Sequence, residues 1–403
     1  MRSIREKLEF SFEDFDFLLG ASKNSKNLIE KWEDGENCLS NSKLELLKRL
    51  PTEIPFKKKG SSKFQFIDLF AGIGGIRLPF QELGGKCVFT SEWDKFAQKT
   101  YAVNFGEVPS GDITKISADD IPPHDILLAG FPCQAFSNAG LKKGFQDTRG
   151  TLFFEIQRIL AHHRPKAFLL ENVKQFKGHD KGRTLKTILS VLTGSDEQHI
   201  PSDISLSDET REALETKLNY SVSYKVLSSK DFGVPQKRER IYIIGFDKNQ
   251  IAVSNEDIDS IFDKIIAENY GKTSLSKALF KNNEVDEKYT ISNKLWDGHQ
   301  RRRAEHSIKG NGFGYQLFNH RSEYCSTISA RYYKDGSEIL IDQRDLGINP
   351  RKLTPREAAR IQGFPDDYYL GFTSDVQAYK QFGNSVSVPV IRAIAKEMVK
   401  YLT

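Results

Sequence analysis

The feature that most constrains the fold is a repeated alternation of short apolar runs with helical segments, which begins at Phe64. Five such runs are each bounded by Gly, Pro or polar residues: FQFIDLF, KCVFTSE, HDILLAGF, KAFLLEN and RIYIIGF. Runs of this length, with helix-period sequence between several of them, are typical of parallel strands joined by helical crossovers. We therefore predict an α/β fold with a doubly wound, mostly parallel sheet whose carboxyl edge binds ligands.

The length of 403 residues exceeds what one hydrophobic core usually organises. Residues 1–60 read as a short helical extension with a Pro/Gly/Ser/Lys linker, and residues 64–250 form the predicted sheet domain. Polar sequence rich in Lys, Arg, Asn and Gly predicts a smaller, irregular second domain over residues 251–372. Helical periodicity returns in residues 373–403, which we expect to close back onto the sheet.

Composition excludes several classes of protein. No apolar run approaches the roughly 18 residues that cross a bilayer, so we expect no membrane segment and a cytoplasmic location. The four cysteines are scattered without CxxC spacing, which predicts no metal site and leaves a reduced thiol available. A net charge of +5, with basic clusters such as QKRER and RRR, suits a polyanionic partner, although most such runs are solvated surface.

Candidate cofactor residues follow the first three β/α units. FIDLFAGIGG places Gly72 and Gly74 at a strand end, where absent side chains let a ligand approach the backbone. About twenty residues later, Glu92 ends a second run and is placed to hydrogen-bond ribose hydroxyls. Trp93 offers an aromatic face for a purine, and Asp112 is placed to accept a hydrogen bond from an adenine amino group. Because the glycine loop lacks the GKS or GKT of a P-loop, a dinucleotide or an adenosyl cofactor is favoured; a tight turn without a ligand is the alternative.

Candidate catalytic residues follow the next strands. Cys133 lies in a loop after DILLAG, and Glu171 ends the neighbouring run KAFLLENV, so a thiol and a carboxyl emerge from adjacent strand tips. In QKRER, Arg238 and Arg240 stand two residues apart, which in an extended segment points them to one side. Taken singly, Cys133 reads as a small buried hydrophobe and QKRER as a solvated charge run.

Eight motifs resemble, in order and spacing, the series found in the cytosine-5 DNA methyltransferases: FIDLFAGIGG, SEWD, GDIT, GFPCQAFS, ENV, QKRER, LTPREAARIQGFP and QFGNSVSVPV. They span nearly all of the chain from Phe64 onward. The pair PCQ and ENV separates this family from other users of the same fold. The resemblance implies a bacterial type II restriction–modification methyltransferase that uses S-adenosylmethionine and acts on double-stranded DNA as a monomer, with a cognate restriction endonuclease as a further partner.

In that family a thiolate adds to carbon 6 of a cytosine flipped from the duplex, so that carbon 5 can attack the methyl group. The resemblance implies that Cys133 is this nucleophile. Glu171 then contacts ring nitrogen 3 and the exocyclic amine, Arg240 contacts the oxygen at position 2, and Arg238 supports the site.

The resemblance also assigns cofactor and DNA contacts by motif. The implied cofactor residues are Phe70, Gly72, Gly74, Glu92, Trp93, Asp112, Ile113, Leu152, Asn384 and Ser385. The implied DNA contacts are Gln134, Ser137 and Asn138 near the nucleophile, and Arg331, Tyr332, Tyr333 and Lys334 in the target-recognition domain of residues 251–372. Segments Lys309–Tyr315 and Thr327–Asp342 resemble those of enzymes that modify the inner cytosine of CCWGG or CCNGG, although such side chains also occur as packing and surface.

Three parts of the chain either depart from the family pattern or have a role that the pattern does not define. Ala139 stands where a relative has a serine that helps fill the vacated space in the duplex, which leaves Asn138 or a second-domain residue for that task. An insertion around Thr193 to Glu215 is expected to be a surface excursion without chemistry. LLGASKNSKNLIEKWEDGE resembles a helix-turn-helix, with Ser22 as cap, Ile29 and Trp32 inward and Gly35 at the stop; a packing appendage is equally compatible.

Three other functions remain as alternatives. An RNA cytosine-5 methyltransferase shares the fold, but the long region from Asp247 to Leu370 disfavours it. A non-catalytic DNA-binding transcriptional regulator is supported by the N-terminal extension and disfavoured by the intact catalytic motifs. An NAD-dependent oxidoreductase rests on glycines alone and gives PCQ no role.

Overall fold

The computed structural model describes residues 2–20, 28–36, 39–57, 60–132, 152–195, 206–312 and 314–402. The strands are β1 (Phe64–Leu69), β2 (Gly85–Ser91), β3 (Ile126–Gly130), β4 (Ala167–Val173), β5 (Tyr220–Ser228), β6 (Glu239–Asp247), β7 (Leu317–Phe318) and β8 (Leu340–Ile341). The helices are α1 (Arg2–Leu8), α2 (Phe12–Leu18), α3 (Leu28–Glu33), α4 (Asn41–Lys48), α5 (Arg77–Glu82), α6 (Lys95–Phe105), α7 (Leu152–His163), α8 (Arg183–Thr193), α9 (Asp208–Glu215), α10 (Asn255–Ala267), α11 (Asn293–Ile308), α12 (Tyr332–Asp335), α13 (Pro355–Arg360), α14 (Asp375–Asn384) and α15 (Val388–Met398). Within these ranges no helix has both the length and the apolar character that crossing a membrane requires.

The central sheet has six strands in the order β2-β1-β3-β4-β6-β5. β6 runs antiparallel to both of its neighbours, and the other adjacent pairs are parallel. The predicted α/β class with a mostly parallel sheet is therefore confirmed. The carboxyl ends of β1, β3 and β4 lie side by side, which brings the loops after these strands to one edge of the sheet.

Strand alternation divides the core between the two faces of the sheet. In β1, Phe66 and Ile67 are both fully buried but belong to different apolar clusters. One cluster contains side chains of α7 and α8, and the other contains side chains of α10 and α15. Because helices cover both faces, the central strand β3 is a continuous apolar run, and the loops that follow the strand tips are accessible for polar chemistry.

Sequence past Asp247 is more regular than its composition predicts. α10 begins with a capping box formed by Ser254 and Asp257, and it buries Ile258 and Phe262 in the same cluster as the sheet residues. The irregular reading of residues 251–372 is therefore wrong for this segment, which packs on the sheet. A 16-residue helix, α11, follows further on, and β7 and β8 form a short parallel pair.

The N-terminal helices pack against the sheet domain. Phe15 of α2 is fully buried in a cluster that also contains Val103 of α6 and Phe372. Nζ of Lys99 on α6 donates to the main-chain oxygen of Leu18 at 2.9 Å, at the end of α2. This shared core favours the packing-appendage interpretation of the extension.

The positions predicted for a helix-turn-helix are only partly described. Ile29 is fully buried, Trp32 is half-buried and Gly35 has a φ of +79° just after α3. Ser22 lies outside the described residues. Glu33 on α3 forms ion pairs with Arg2 and Arg5 of α1, so these arginines are engaged within the extension.

Candidate active site

The tips of β3 and β4 meet where the sequence predicts a thiol and a carboxyl. Gly130, the last residue of β3, is in register with Glu171 of β4. A Cβ placed on Gly130 would lie 3.7 Å from Oε2 of Glu171, so the carboxylate faces the strand that leads to Cys133. Nδ2 of Asn172 donates to the main-chain oxygen of Phe131 at 3.3 Å and so fixes the main chain where it leaves β3. The adjacency of the two strand tips is confirmed.

Several predicted residues fall in the segment that follows. The predicted nucleophile Cys133 and the predicted DNA contacts Gln134, Ser137 and Asn138 lie outside the described residues, as does Ala139.

Glu171 and Arg240 form an ion pair at this edge. Nε of Arg240 lies 3.2 Å from Oε1 of Glu171, and both side chains are largely buried. Burial raises the pKa of the Glu171 carboxyl, and the nearby charges of Arg240 and Arg238 offset the rise only in part. Among the described residues, Oε1 accepts no directed hydrogen bond. The carboxyl thus has capacity for a ligand and an increased tendency to hold a proton.

Arg238 has a different role from its neighbour. It is 3% exposed, and its guanidinium donates to the main-chain oxygens of Ile328 and Gly383 at 3.2 and 3.1 Å, and also to that of Ser385. These acceptors come from the second domain and the C-terminal segment. Arg238 therefore joins three distant parts of the chain behind the Glu171–Arg240 pair, which agrees with the predicted supporting role.

The glycine loop after β1 contains two kinds of glycine. Gly72 has a φ of +55°, and a Cβ there would meet no atom within 4 Å. Gly74 has a φ of +79°, and a Cβ there would lie 2.2 Å from the ring of Phe105. Phe70 also has a positive φ, of 55°, which is uncommon for a bulky side chain and occurs mainly at sites where the fold holds the backbone in place. Gly72 thus borders open space, whereas Gly74 is required by packing.

Glu92 lies against this loop. Its Oε2 accepts the N–H of Gly72 at 2.8 Å, and its Oε1 accepts the N–H of Asp94 at 2.7 Å. Burial raises the pKa of this carboxyl, and the bonds from Asp94 and Gly72 oppose the rise. Trp93 is 72% exposed, which leaves an indole face free for stacking. The structure therefore brings the predicted glycine, carboxylate and aromatic residue together.

The loop that carries Asp112 runs beside the end of β2, where the N–H of Ser110 donates to the main-chain oxygen of Thr90 at 2.9 Å. Oδ1 of Asp112 accepts bonds from the N–H and the hydroxyl of Thr114, and the side chain stays partly exposed. Ile113 is buried in the core cluster that also contains helix α7, and Leu152, in the first turn of α7, is half-buried. The loop is thus ordered around a partly accessible carboxylate.

The C-terminal segment returns to the glycine loop. A Cβ placed on Gly75 would lie 2.9 Å from Oγ of Ser385 and the same distance from Val386. Asn384 is exposed at the end of α14. Both predicted C-terminal cofactor residues are therefore in or beside the segment that contacts the loop.

The four residues predicted to contact DNA in the second domain are not equally accessible. Arg331 and Lys334 are exposed, and Tyr333 is half-buried. Tyr332 is fully buried, donates its hydroxyl to the Ile339 oxygen at 2.7 Å and accepts the N–H of Leu353 at 2.7 Å. The prediction of a DNA contact does not fit Tyr332, because both its ring and its hydroxyl are used in packing.

Sequence reasoning missed the role of Gln236 at the start of QKRER. This side chain is fully buried; its Nε2 donates to the Ile361 oxygen at 3.1 Å and its Oε1 accepts the N–H of Ile328 at 3.2 Å. A bridge with Cys325 adds main-chain pairing at the same point. The available signal was the uncharged amide of Gln236 beside a basic run, because a run exposed to solvent does not require an amide at that position.

Comparison with known proteins identifies the family. A family model described as C-5 cytosine-specific DNA methylase matches residues 64–196 and 209–400. The chain belongs to this C-5 cytosine-specific DNA methylase family. It is similar to the type II methyltransferase M1.ScrFI of Lactococcus lactis subsp. cremoris, with 52% identity over 99% of this chain and 94% of that protein. It is 50% identical to the type II methyltransferase M.SsoII of Shigella sonnei, over 99% of this chain and 96% of that protein.

Solved structures support the same fold. The crystal structure of S. pombe Dnmt2 methyltransferase matches with a TM-score of 0.64 and 19% identity, over 85% of this chain and all of that chain. The motif resemblance is thus confirmed, and the chain is a C-5 cytosine-specific DNA methylase of the restriction–modification type. The methyl donor of the family is S-adenosylmethionine.

The residues around the glycine loop of this C-5 cytosine-specific DNA methylase fit that donor. Open space in front of Gly72 leaves room for a ligand against the backbone. The carboxylates of Glu92 and Asp112 suit ribose hydroxyls and an adenine amino group, and the exposed indole of Trp93 suits a purine face.

Proposed function

We propose that this enzyme methylates carbon 5 of a flipped cytosine in duplex DNA through a transient covalent bond from Cys133. The observation that carries the proposal is the Glu171–Arg240 pair, which lies at the tip of β4 beside the strand that leads to Cys133. A buried carboxyl and a guanidinium at one strand edge can together recognise the donor and acceptor edge of a single pyrimidine. A solvated charge run would not bury these groups.

The proposed chemistry uses each group once. The Cys133 thiolate adds to carbon 6 while Glu171 contacts nitrogen 3 and the exocyclic amine, and Arg240 contacts the oxygen at position 2. Carbon 5 then takes up the methyl group, which bound S-adenosylmethionine supplies. Loss of the carbon 5 proton with elimination of the thiolate restores the aromatic ring and frees the enzyme. The raised pKa of the Glu171 carboxyl suits a group that favours protonation of the ring.

The cofactor is proposed to lie along the glycine loop. Glu92 would bind the ribose hydroxyls, Trp93 would stack on the adenine, and Asp112 would accept its amino group. Gly72 leaves the required space. The remaining proposed contacts are Phe70, Gly74, Ile113, Leu152, Asn384 and Ser385, several of them through the main chain.

The target is proposed to be double-stranded DNA containing CCNGG or CCWGG, read by residues of the second domain. The resemblance of its recognition segments supports this choice, and the exposed Arg331 and Lys334 are suited to groove or phosphate contacts. We further propose action as a monomer in the cytoplasm, with a cognate restriction endonuclease that cleaves the unmethylated site. Flipping the base costs on the order of a few kcal/mol, which contacts in the pocket would offset.

The decisive experiment maps methylation directly. The purified enzyme is incubated with unmethylated plasmid and labelled S-adenosylmethionine, and 5-methylcytosine is located by bisulfite sequencing. We expect label in DNA at the inner cytosine of CCNGG or CCWGG. A duplex with 5-fluorocytosine at that position should trap a protein–DNA adduct, because the fluorine cannot leave as the proton does.

The Cys133→Ser variant provides the matched control. It should bind S-adenosylmethionine like the wild type and form no adduct with the fluorinated duplex. Label in RNA but not in DNA would favour the RNA methyltransferase, and normal turnover by Cys133→Ser would remove the proposed nucleophile.

A further inference from the structure

A buried guanidinium connects helix α7 to the proposed cofactor loop. Arg158 is 2% exposed. Its Nη2 donates to the main-chain oxygens of Ile113 at 3.3 Å and Ile116 at 3.0 Å. Both acceptors lie in the loop that begins with Asp112, so one side chain fixes two points of this loop.

The acidic partner of Arg158 comes from the insertion. Nη1 of Arg158 donates to Oε1 of Glu209 at 2.7 Å, and the same oxygen accepts the N–H of Ala118 at 3.0 Å. Glu209 lies in the first turn of α9, and α9 is held on α7 by a bond of 2.8 Å from Gln157 Nε2 to the Ala213 oxygen. The insertion therefore contacts the cofactor loop at its far end.

The energetics of burial make this arrangement restrictive. A buried guanidinium is costly unless its N–H groups are bonded, and Glu155 Oε2 accepts both Nε at 3.1 Å and Nη2 at 2.9 Å of Arg158. Charged hydrogen bonds are short and directional. The loop cannot move away from α7 without leaving Arg158 or Glu209 with a broken bond.

We propose that Arg158 and Glu209 are positioning residues for the cofactor site, which makes α9 of the insertion part of the machinery that binds S-adenosylmethionine. They hold the segment from Asp112 to Ala118 so that Asp112 and Ile113 meet the adenine. The inference rests on the proposed roles of those two residues. The insertion, expected from sequence to lack chemistry, then affects donor affinity without touching the donor.

The test separates donor binding from DNA binding and turnover. Full-length Arg158→Lys and Glu209→Gln are titrated calorimetrically with S-adenosylmethionine, and KM and kcat are measured for donor and DNA. We expect the donor Kd to rise about tenfold for Arg158→Lys and about threefold for Glu209→Gln. kcat at saturating donor and the KM for DNA should stay within about twofold of the wild type, and the double variant should be no worse than Arg158→Lys.

Two controls exclude a general loss of stability. Glu212→Gln makes the same charge change on an exposed position of α9 and should leave the donor Kd unchanged. Ile261→Val on α10, which packs on the other face of the sheet, reduces the melting temperature without contacting the loop and should also leave it unchanged.

The outcomes distinguish a failure of the positioning role from a failure of the proposed cofactor site. Donor binding at wild-type strength in both Arg158→Lys and Glu209→Gln, or equal weakening in Ile261→Val, would overturn the positioning role and leave the cofactor site intact. Unchanged donor binding in Asp112→Asn would instead overturn the proposed site, and the inference with it.

Discussion

At the scale of single residues, Glu171 combines two requirements that conflict energetically. Its position at the β4 tip suits recognition of a base, but the same position removes the carboxyl from water. The ion pair with Arg240 recovers part of the desolvation cost, and the pKa of Glu171 still lies above its ordinary value because burial dominates. Such a residue is expected to serve activity at the expense of stability.

Replacing Glu171 with Gln should therefore abolish most activity and stabilise the fold near neutral pH. With a raised folded-state pKa, the carboxyl's contribution to stability is complete below its unfolded-state pKa of about 4.3 and is lost as pH rises through the folded-state pKa. Glu171→Gln does not undergo this loss. We expect kcat to fall about 100-fold or more, and the melting temperature near pH 7 to rise by about 1–2 °C.

Calorimetry across the pH range checks the sign. The stability advantage of Glu171→Gln should shrink as pH falls below the folded-state pKa of the wild-type carboxyl. The exposed Glu212→Gln should show no comparable gain. A variant less stable than the wild type near neutral pH would contradict the dominance of burial at Glu171.

Single residues also mark the limit of what the sequence predicts. The end of an apolar run placed Glu171 at a strand tip, whereas only the family resemblance placed Arg240 at the same base. The neighbours Tyr332 and Tyr333 could not be distinguished in this way. α12 has only four residues, too few for a helical period to show which ring turns inward.

At the scale of elements, the turn between β1 and α5 assigns different tasks to similar glycines. Gly74 brings the backbone against Phe105 of α6, and Gly72 leaves space at the proposed donor site. Both have a positive φ, so any side chain at either position is strained. The difference lies in what a methyl group would meet.

Alanine substitutions should separate these tasks. Gly74→Ala places its Cβ against the Phe105 ring and should lower stability by about 2–3 kcal/mol, seen as a lower melting temperature. Gly72→Ala meets no protein atom and should cost about 1–2 kcal/mol of backbone strain while weakening donor binding at least as much as Gly74→Ala does. A larger loss of melting temperature in Gly72→Ala would contradict the assignment.

Helix α10 has clear helix signals in its sequence, although its polar composition led us to predict an irregular region. The capping residues Ser254 and Asp257 and the spacing of Ile258, Ile261 and Phe262 are signals of an amphipathic helix. Its exposed face carries the polar residues that suggested an irregular region. Long-range packing on β5 could not be read from spacing, because it depends on where the chain returns after β6.

At the scale of the whole molecule, the N-terminal extension is part of the core of the enzyme. Phe15 and Leu18 share a cluster with Val103 and Phe372, and Nε of Arg49 donates to the Gly371 oxygen at 2.9 Å. Sequence patterns predicted the short helices but not this docking surface on α6. The apolar residues of α6 indicate that this helix is buried, but they do not indicate which element packs on it.

Deleting residues 1–50 should lower stability while sparing the chemistry. The deletion exposes Val103 and Phe372, and we expect the melting temperature to fall by about 3–6 °C, with kcat for DNA within about threefold of the wild type. Differential scanning calorimetry and a methylation assay measure the two quantities. Because the exposed Val103 and Phe372 form an apolar surface, we expect the truncated chain to self-associate, and Val103→Thr with Phe372→Ser should reduce that association. An unchanged melting temperature after deletion would show that the extension packs on the enzyme without stabilising it.

The contacts of Arg238 also bear on how the protein is made. Its acceptors lie 90 to 147 residues further along the chain. At about 5–20 residues per second, a ribosome needs on the order of ten seconds after adding Arg238 before the last acceptor exists. All six strands of the central sheet are synthesised before that moment. A translation stop shortly before Gly383 would remove two acceptors of Arg238 and also α15, which covers one face of the sheet, so we expect the product to be both inert and incompletely packed.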